Sequence, residues 1–250
     1  MLKNKYISFG YNRNVSASII IAIFMIVFSP LSLSVELLQL SKIEGSVLTK
    51  ISEQVLVEAY QKLDIKIEFV SFPAKRGLMI SNEGSVDGEV HRIKKVDYKY
   101  PNLIRVPTAI NLAEVVVFTV DNPFKIEGWH SLKPYKIGVM RGIVVVEQGT
   151  KEMDVEAFNS YDQVLMMLNF KRIDVGVLTR VGGLYYLSSL EFKDIKMLEP
   201  PILQHGLYHY LHVKHDALVP KINGVLTKMQ ASGRIKEIRE LYIQRLQARP

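Results

Sequence analysis

The sequence predicts an α/β protein with two lobes. Short β-branched runs alternate with amphipathic segments, an order that favours mostly parallel sheets covered by helices. This alternation occurs as two sets, and the strand-like run AEVVVFTV at 113–120 lies where the first set meets the second. The 250 residues are 48% hydrophobic and 23% charged, which suffices for a large core. The sequence contains no repeat, heptad run or low-complexity tract, which excludes a solenoid, a coiled coil and a fibre.

The first set of elements begins with a predicted strand at 35–40. Apolar residues at three- and four-residue steps predict a helix over 44–63, and the alternation in IKIEFVSF predicts a strand at 65–72. Pro73 suits the first turn of a helix, so the next helix is expected to run from there to Glu83. Further extended segments are predicted at 86–92, 98–107 and 113–120.

The second set begins with a helical turn and a strand, predicted at 129–133 and 135–140. Ser160 and Gln163 have the spacing of a capping box, which predicts a helix that ends near Lys171. The remaining predicted elements are strands at 173–178, 195–198 and 208–213, and helices at 142–149, 179–190, 216–231 and 234–247. No strand follows the last two helices, so we expect them to return and cover the first lobe.

Residues 1–34 have the features of a secretory signal peptide. Three basic residues and no acid precede an uncharged run over 15–28. Ser32 and Ser34 then supply small residues at the −3 and −1 positions of a cut before Val35. An uncleaved membrane anchor is the alternative, but a spanning helix needs about 20 apolar residues. We therefore predict a periplasmic protein that is cleaved near Ser34.

Charge and composition exclude several functions. The net charge of +7 falls to +4 without residues 1–34, and the remaining basic residues are spread along the chain. No basic stripe with interleaved aromatic residues indicates a nucleic-acid partner. Cysteine is absent, which excludes disulfides, thiolate metal sites and a cysteine nucleophile. The chain lacks the catalytic-serine, zinc-protease, P-loop and dinucleotide motifs. No catalytic residue, metal or cofactor is therefore predicted, and the protein is not predicted to be an enzyme.

Six segments carry a resemblance to a known family. They are LVEAYQKLDIKIEF, FPAKRGLMISNEGSVDGEVHR, YPNLIRVP, YKIGVMRG, FKRIDVGVL and YHYLHVKHDALVPKINGVLTKMQASGRIKEI. Their order resembles that of the type 2 periplasmic solute-binding proteins, in the family 3 group associated with polar amino-acid uptake. The resemblance implies the type II periplasmic-binding-protein fold, with a two-strand hinge and a ligand in the cleft between the lobes. We expect lobe 1 to comprise 35–118 plus 210–250, and lobe 2 to comprise 119–209.

The sequence departs from the well-studied amino-acid binders of that family. Those proteins carry a longer segment between the Asp of the first lobe and the ligand arginine, followed by a Phe-Ser-x-Pro-Tyr-like stretch. Here DGEVHR is short and leads into KYPNLIRVP. The family's α-amino-acid site is therefore not carried over as a whole.

Arg92 is the first candidate ligand residue of lobe 1. It lies where the family presents an arginine, and a guanidinium can hold a carboxylate through two parallel N–H bonds. The alternative is an ion pair between Arg92 and Glu89 or Asp97. Glu89 could accept an amino group, or it could pair with Arg92 or His91. Arg76, near a predicted helix start, could face the cleft or lie at the surface.

The candidates of lobe 2 lie in two strand-to-helix turns. Arg141 and Gly142 precede a predicted helix whose first N–H groups would attract an anion, and the resemblance implies that this loop contacts the ligand. A simple turn is the alternative. Thr179 and Arg180 occupy the equivalent place after the strand at 173–178, where Thr179 could instead cap the helix. The aromatic candidates for stacking against a ligand are Phe72, Tyr98, Tyr100 and Trp129.

Four histidines fall within 11 residues, at 205, 209, 212 and 215. On a strand, His209 and His212 point to opposite faces, and no cysteine supports a metal site there. We therefore interpret them as part of a strand and loop near the hinge.

These features predict a monomeric periplasmic binding protein. It would capture a small polar, carboxylate-bearing, amino-acid-like solute and deliver it to an inner-membrane permease. One alternative is an enzyme on the same scaffold, similar to cyclohexadienyl dehydratase, in which Glu89 and Arg92 would be the first candidates. Another is a membrane-tethered sensor domain, if residues 15–34 are retained.

Overall fold

Eight strands form one continuous sheet in the order β2-β1-β3-β8-β4-β7-β5-β6. The computed structural model describes residues 37–120, 123–190 and 192–248, so the predicted signal peptide lies outside the described residues. The strands are β1 (Leu37–Ile43), β2 (Lys66–Phe72), β3 (Gly88–Arg92), β4 (Leu103–Thr119), β5 (Ile137–Met140), β6 (Val155–Phe158), β7 (Val175–Thr179) and β8 (Lys196–His212).

Helices cover both faces of the sheet. They are α1 (Thr49–Gln61), α2 (Ala74–Glu83), α3 (Val144–Gly149), α4 (Tyr161–Asn169), α5 (Arg180–Leu187), α6 (Val219–Ala231) and α7 (Arg234–Gln247), with 3-10 helices at Trp129–Leu132 and Val213–Leu218. This architecture confirms the predicted α/β class. None of the described helices is long and apolar enough to cross a membrane.

The parallel strands converge on the middle of β4. Strands β1, β2 and β3 are parallel to one another, and so are β5, β6 and β7. The two groups run in opposite directions, because β3 and β4 are both antiparallel to β8 while β7 is antiparallel to β4. Arg92 at the end of β3 pairs with Tyr208, which pairs with Ala109 of β4. Thr179 at the end of β7 pairs with Val115. The carboxyl ends of both groups therefore approach the same stretch of β4 from opposite sides.

Strands β4 and β8 are each 17 residues long, although the sequence predicts two separate strands within each. That prediction was wrong because prolines interrupt the sequence pattern. The backbone passes Pro107 through a register shift between Arg105 and Ala109. A later shift, opposite Val115–Val117, accommodates Pro200 and Pro201. The bulges let two central strands continue where a regular ladder would exclude proline.

The largest hydrophobic core joins helices from both halves of the chain. It contains the buried faces of α1, α6 and α7 together with those of α4 and α5. A second core lies between β5, β7 and the far half of β4, and a small third one holds Leu103, Tyr208 and Tyr210 beneath α2. The last two helices contact each other and α1, as the absence of a following strand predicts.

Glu114, in the middle of β4, connects elements from both halves. Its Oε2 accepts from Arg180 Nε of α5 at 2.9 Å and also from Arg239 of α7. Arg180 donates to Glu199 of β8 at 2.9 Å, and Arg239 donates to Asn111 of β4 at 3.1 Å. The side chains of Glu114, Arg180 and Arg239 are about nine-tenths buried, and burial lowers the pKa of Arg239 to about 10. We call Glu114, Arg180, Glu199 and Arg239 the Glu114 cluster.

Two buried histidines are hydrogen-bonded as neutral rings. His209 Nδ1 donates to the Glu89 carbonyl at 2.7 Å, which leaves Nε2 to accept from the Tyr60 hydroxyl at 2.8 Å. His91 Nδ1 lies 2.6 Å from Ser52 Oγ. Burial lowers the pKa of His91 to about 3 and that of His209 to about 4. Both rings therefore stay uncharged in the folded protein at neutral pH.

These pKa values predict that the free energy of unfolding falls as the pH drops below about 6.5. Unfolded histidines bind a proton near that pH, whereas the folded rings bind one only near pH 4 and pH 3. The unfolded state then holds more protons, and acid favours it. The two histidines together should remove about 4 kcal/mol between pH 6.5 and 4.5, measured by urea unfolding at each pH.

A double variant isolates this effect. His91→Gln with His209→Gln should flatten the pH dependence over that window, at some cost in stability at pH 7.5. His130→Gln, at an exposed position, should leave the dependence unchanged. An equally steep loss of stability in the double variant would show that other groups cause it.

Candidate functional site

A cavity of about 290 Å³ lies where the carboxyl ends of the strands converge. Ligands of open α/β sheets bind beyond the carboxyl ends of parallel strands, which makes this cavity the candidate site. We call it the cleft cavity. It is lined by residues 45–48, Met140, residues 159–161, Thr179, Gly182 and Tyr186.

Two tyrosines form one wall of the cleft cavity. The rings of Tyr161 and Tyr186 stack in parallel with centroids 5.3 Å apart, and Tyr161 OH lies 2.9 Å from Thr179 Oγ1. A Cβ on Gly182 would lie 2.6 Å from Thr179 Oγ1 and 2.7 Å from the Tyr161 ring. The glycine thus lets the ring pack against α5. Burial raises the pKa of Tyr161, so its hydroxyl group stays neutral at this wall.

Two helices begin at the cleft cavity. Ser160 precedes α4 and Thr179 precedes α5, and neither side chain caps its helix by a hydrogen bond. The predicted capping box was therefore wrong: Gln163 instead accepts from the backbone N–H of Asn159 at 3.0 Å. Because neither side chain accepts from the first-turn N–H groups, these groups can favour another acceptor oxygen or an anion.

None of the described residues that line the cleft cavity has a charged side chain. A neighbouring cavity of about 330 Å³ shares residues 45–47 with it and is lined in part by Lys42, Lys50 and Glu53. Glu53 pairs with Lys42 at 2.7 Å and with Lys50 at 3.3 Å. The charged residues that line the neighbouring cavity therefore carry one more positive than negative charge.

Arg92 and Glu89 form a buried ion pair, as the alternative interpretation of the sequence anticipates. Arg92 donates from Nε to Glu89 Oε2 at 2.8 Å, and Ser81 Oγ donates to the other carboxylate oxygen at 2.8 Å. A register shift in β3 between residues 89 and 92 allows these side chains to meet. Burial raises the pKa of Glu89, against the opposing effect of Arg92. Neither residue lines the cleft cavity, and contact with a solute stays a prediction for both.

The other predicted ligand residues are divided between the surface and the cleft. Arg76 is exposed on α2. Arg141 is also exposed and donates to the Ala157 carbonyl at 3.2 Å, while the N–H of Gly142 donates to Glu147 at 2.7 Å. Thr179 alone of the six lines the cleft cavity. A ligand role for Arg76, Arg141 and Gly142 remains a prediction.

The sequence patterns did not identify several of the residues that line the cleft cavity. Ser46, Asn159, Ser160, Tyr161 and Tyr186 line the cleft. The strand β6 ends directly before Asn159. Because the sequence pattern did not predict that strand, the loop that follows it was not identified as the carboxyl end of a strand. The predicted start of a helix at Ser160 was a sequence signal that could have marked this loop as part of the site.

The four clustered histidines do not share a site. His209 lies in the core, and His215 Nε2 lies 2.7 Å from Asp87 Oδ1. Within residues 37–120, 123–190 and 192–248, no group of three or more potential ligands could hold a metal ion.

Loss of one partner of the Glu89–Arg92 pair should destabilise the fold. Arg92→Ala leaves a buried carboxylate unpaired and should cost roughly 3–5 kcal/mol in urea unfolding. Arg92→Met with Glu89→Gln leaves no buried charge and should recover much of that loss. A cost below about 1 kcal/mol for Arg92→Ala would contradict the ion pair. In the double variant, unchanged affinity for a bound solute would remove Arg92 from the binding site.

Comparisons with known proteins identify one sequence relative and many similar structures. No protein-family model matches the chain. An uncharacterized protein of Shewanella oneidensis is 27% identical over 195 residues, which cover 74% of this chain and 72% of that protein.

The similar structures are periplasmic binding proteins and related sensor domains. An ancestral cationic amino acid solute-binding protein superposes with a TM-score of 0.67 at 16% identity, over 83% of this chain and 95% of that chain. The open, unliganded L-cystine solute receptor of Neisseria gonorrhoeae gives 0.68 at 14% identity, over 84% and 94%. The VFT2 domain of Bordetella pertussis BvgS gives 0.59 at 13% identity, over 84% and 93%. The chain has the two-lobed α/β fold of the type II periplasmic binding proteins, as its sequence predicts.

Proposed function

We propose that the protein binds a small polar, carboxylate-bearing solute in the cleft cavity and delivers it to a membrane permease from the periplasm. The observation that carries this proposal is the cavity of about 290 Å³ at the converging carboxyl ends of the strands. Its volume lies at the lower end of the range for small-molecule sites, about 300–1,000 Å³. The cavity therefore suits a compact metabolite.

The chemistry of the lining favours an anionic group. The first turns of α4 and α5 open onto the cavity without capping by Ser160 or Thr179. A carboxylate could accept from these N–H groups, and Ser46 and Asn159 offer further hydrogen bonds. An ammonium group would lack a counter-charge, since no described lining residue is acidic. The proposal therefore favours an organic acid over an α-amino acid.

The residues that line the cleft cavity come from both proposed lobes, and this origin explains why binding would close the lobes. In the proposed division, residues 45–48 belong to lobe 1, at 35–118 plus 210–250, and Met140 and Thr179 belong to lobe 2, at 119–209. Strands β4 and β8 pass from one lobe to the other as the hinge. A solute satisfies both sets of groups only when the lobes approach, so binding favours the closed form. A monomer is sufficient for this mechanism.

A sensor domain is the second candidate. The fold is shared with a histidine kinase sensor domain that is similar to periplasmic binding proteins, which favours it. The two candidates differ in the fate of residues 1–34, and the mass of the protein isolated from membranes and from the periplasm distinguishes them. Soluble protein that begins at Val35 supports delivery of a solute, whereas membrane-bound protein that retains residues 15–34 supports sensing.

Thermal unfolding of residues 35–250 with a panel of solutes tests the proposed function. The panel contains dicarboxylic and hydroxy acids, α-amino acids and amines. A solute at 1,000 times its dissociation constant adds about 4 kcal/mol to folded-state stability, which raises the midpoint by roughly 10 °C. We expect such a shift with one class of organic acid.

A cavity-filling variant provides the control. Ser46→Trp should abolish the shift because the indole occupies the cleft cavity. Ser85→Trp introduces the same side chain at an exposed position and should leave the shift intact. Stabilisation by amino acids or amines alone would overturn the preference for an acid but retain solute binding. No shift across the panel would contradict the proposed function.

A further inference from the structure

The loop between β3 and β4, residues 93–102, exposes both basic and apolar side chains. Ile93 is 56% exposed and Tyr98 is 83% exposed, although both residues have large apolar surfaces. Three lysines of the same loop are exposed beside them. We call this surface the basic loop face; it consists of Ile93, Lys94, Lys95, Tyr98 and Lys99.

The fold holds this loop in place. Val96 and Tyr100, the other large apolar residues of the segment, pack with Leu78 of α2 against the small third core. The Tyr210 hydroxyl donates to the carbonyl of Ile93 at 2.8 Å, and the carbonyl of Val96 accepts from the backbone of Tyr100 at 3.0 Å. The loop is anchored from within while Ile93 and Tyr98 face solvent, so their exposure is a property of the folded loop.

The outward charge of the loop is positive. Asp97 is the single acid among residues 93–102, and its Oδ1 is buried without a hydrogen-bond partner among the described residues. Lys95 has a left-handed backbone with φ of 73°, which is costly for a lysine and is the kind of outlier that accompanies function. Lys94 Nζ lies 5.4 Å from the ring centroid of Tyr208. The basic loop face therefore combines three exposed lysines with two exposed side chains that have large apolar surfaces.

We propose that the basic loop face docks the protein on an anionic phospholipid surface. Tyrosine is favoured at the membrane–water interface, and lysines beside it attract anionic headgroups. Each lysine near such a surface contributes roughly a fivefold gain in partitioning, so three contribute about a hundredfold at low salt. This surface shares no residue with the lining of the cleft cavity, so the proposal is independent of solute binding. Docking would keep the protein beside a membrane permease.

Vesicle sedimentation tests the proposal with residues 36–250, which form one compact unit and lack the apolar run at 15–28. The vesicles contain phosphatidylcholine alone, or phosphatidylcholine with about one third phosphatidylglycerol. We expect binding to the anionic vesicles at about 0.01 M salt, a large loss at about 0.5 M salt, and none to phosphatidylcholine alone.

Variants assign the binding to the loop. Lys94→Gln with Lys95→Gln and Lys99→Gln should lower partitioning about a hundredfold. Lys95→Gly suits the left-handed backbone and should lose about fivefold. Tyr98→Ser should weaken the binding that persists at higher salt, because that part depends on apolar contact.

A matched variant removes the same charge elsewhere. Lys221→Gln with Lys228→Gln and Lys236→Gln alters exposed lysines of α6 and α7 and should bind nearly as the parent does. Circular dichroism checks the fold of each variant. Equal losses in the two triple variants, or no preference for anionic vesicles, would overturn the proposal. If the basic loop face bound an acidic protein instead of a membrane, the protein would show no preference for anionic vesicles.

Discussion

The buried carboxylate of Glu114 constrains the rest of the structure. It lies in the middle of β4, between arginines from α5 and α7. A buried carboxylate is costly unless it is paired, and each buried arginine is equally costly without it. The two positive charges of Arg180 and Arg239 balance the two negative charges of Glu114 and Glu199. The cluster therefore fixes two helices from distant parts of the chain to the strand that both halves share.

The position of the cleft follows from that constraint. Arg180 is the first residue of α5, and the residue before it, Thr179, lines the cleft cavity. Holding the arginine to Glu114 and Glu199 sets the start of α5 beside the end of β7. Gly182, two residues further on, then lets the Tyr161 ring pack against the helix. The tyrosine wall of the cavity thus begins beside an ion pair whose two residues lie outside the cavity lining.

The sequence predicts most of the fold because most of its elements have a clear period. Strand β6 is the exception: its four residues, Val155–Phe158, include two exposed positions and leave too short a pattern to recognise. Strands β4 and β8 were divided because proline is rare in central strands, and only the structure shows the register shifts that accommodate Pro107 and Pro200. Local patterns identify elements, but they do not identify irregular pairing between distant strands.

The candidate site is harder to predict than the fold because it also depends on irregular strand pairing. Residues three apart on a regular strand point to opposite faces, so strand geometry alone could not choose between a ligand role for Arg92 and its ion pair with Glu89. The register shift in β3 brings them together, and an arginine that suits a ligand carboxylate is paired with a carboxylate of its own chain. Thr179 lines the cleft cavity, and the end of its parallel strand is visible in the sequence, but its contact with a solute stays a prediction. Tyr186 lines the same cavity from within a helix, where no motif marks it.

A solute bound in the cavity at the converging strand ends would change the environment of the residues that line it. Backbone amide NMR spectra of residues 36–250, titrated with the organic acid that stabilises the protein most, test this location directly. We expect the largest chemical-shift changes at residues 45–48, 159–161 and 179–182. Changes concentrated at the basic loop face, or in the separate groove that Gln54 of α1 and Leu241 of α7 help to line, would contradict binding in the cleft cavity.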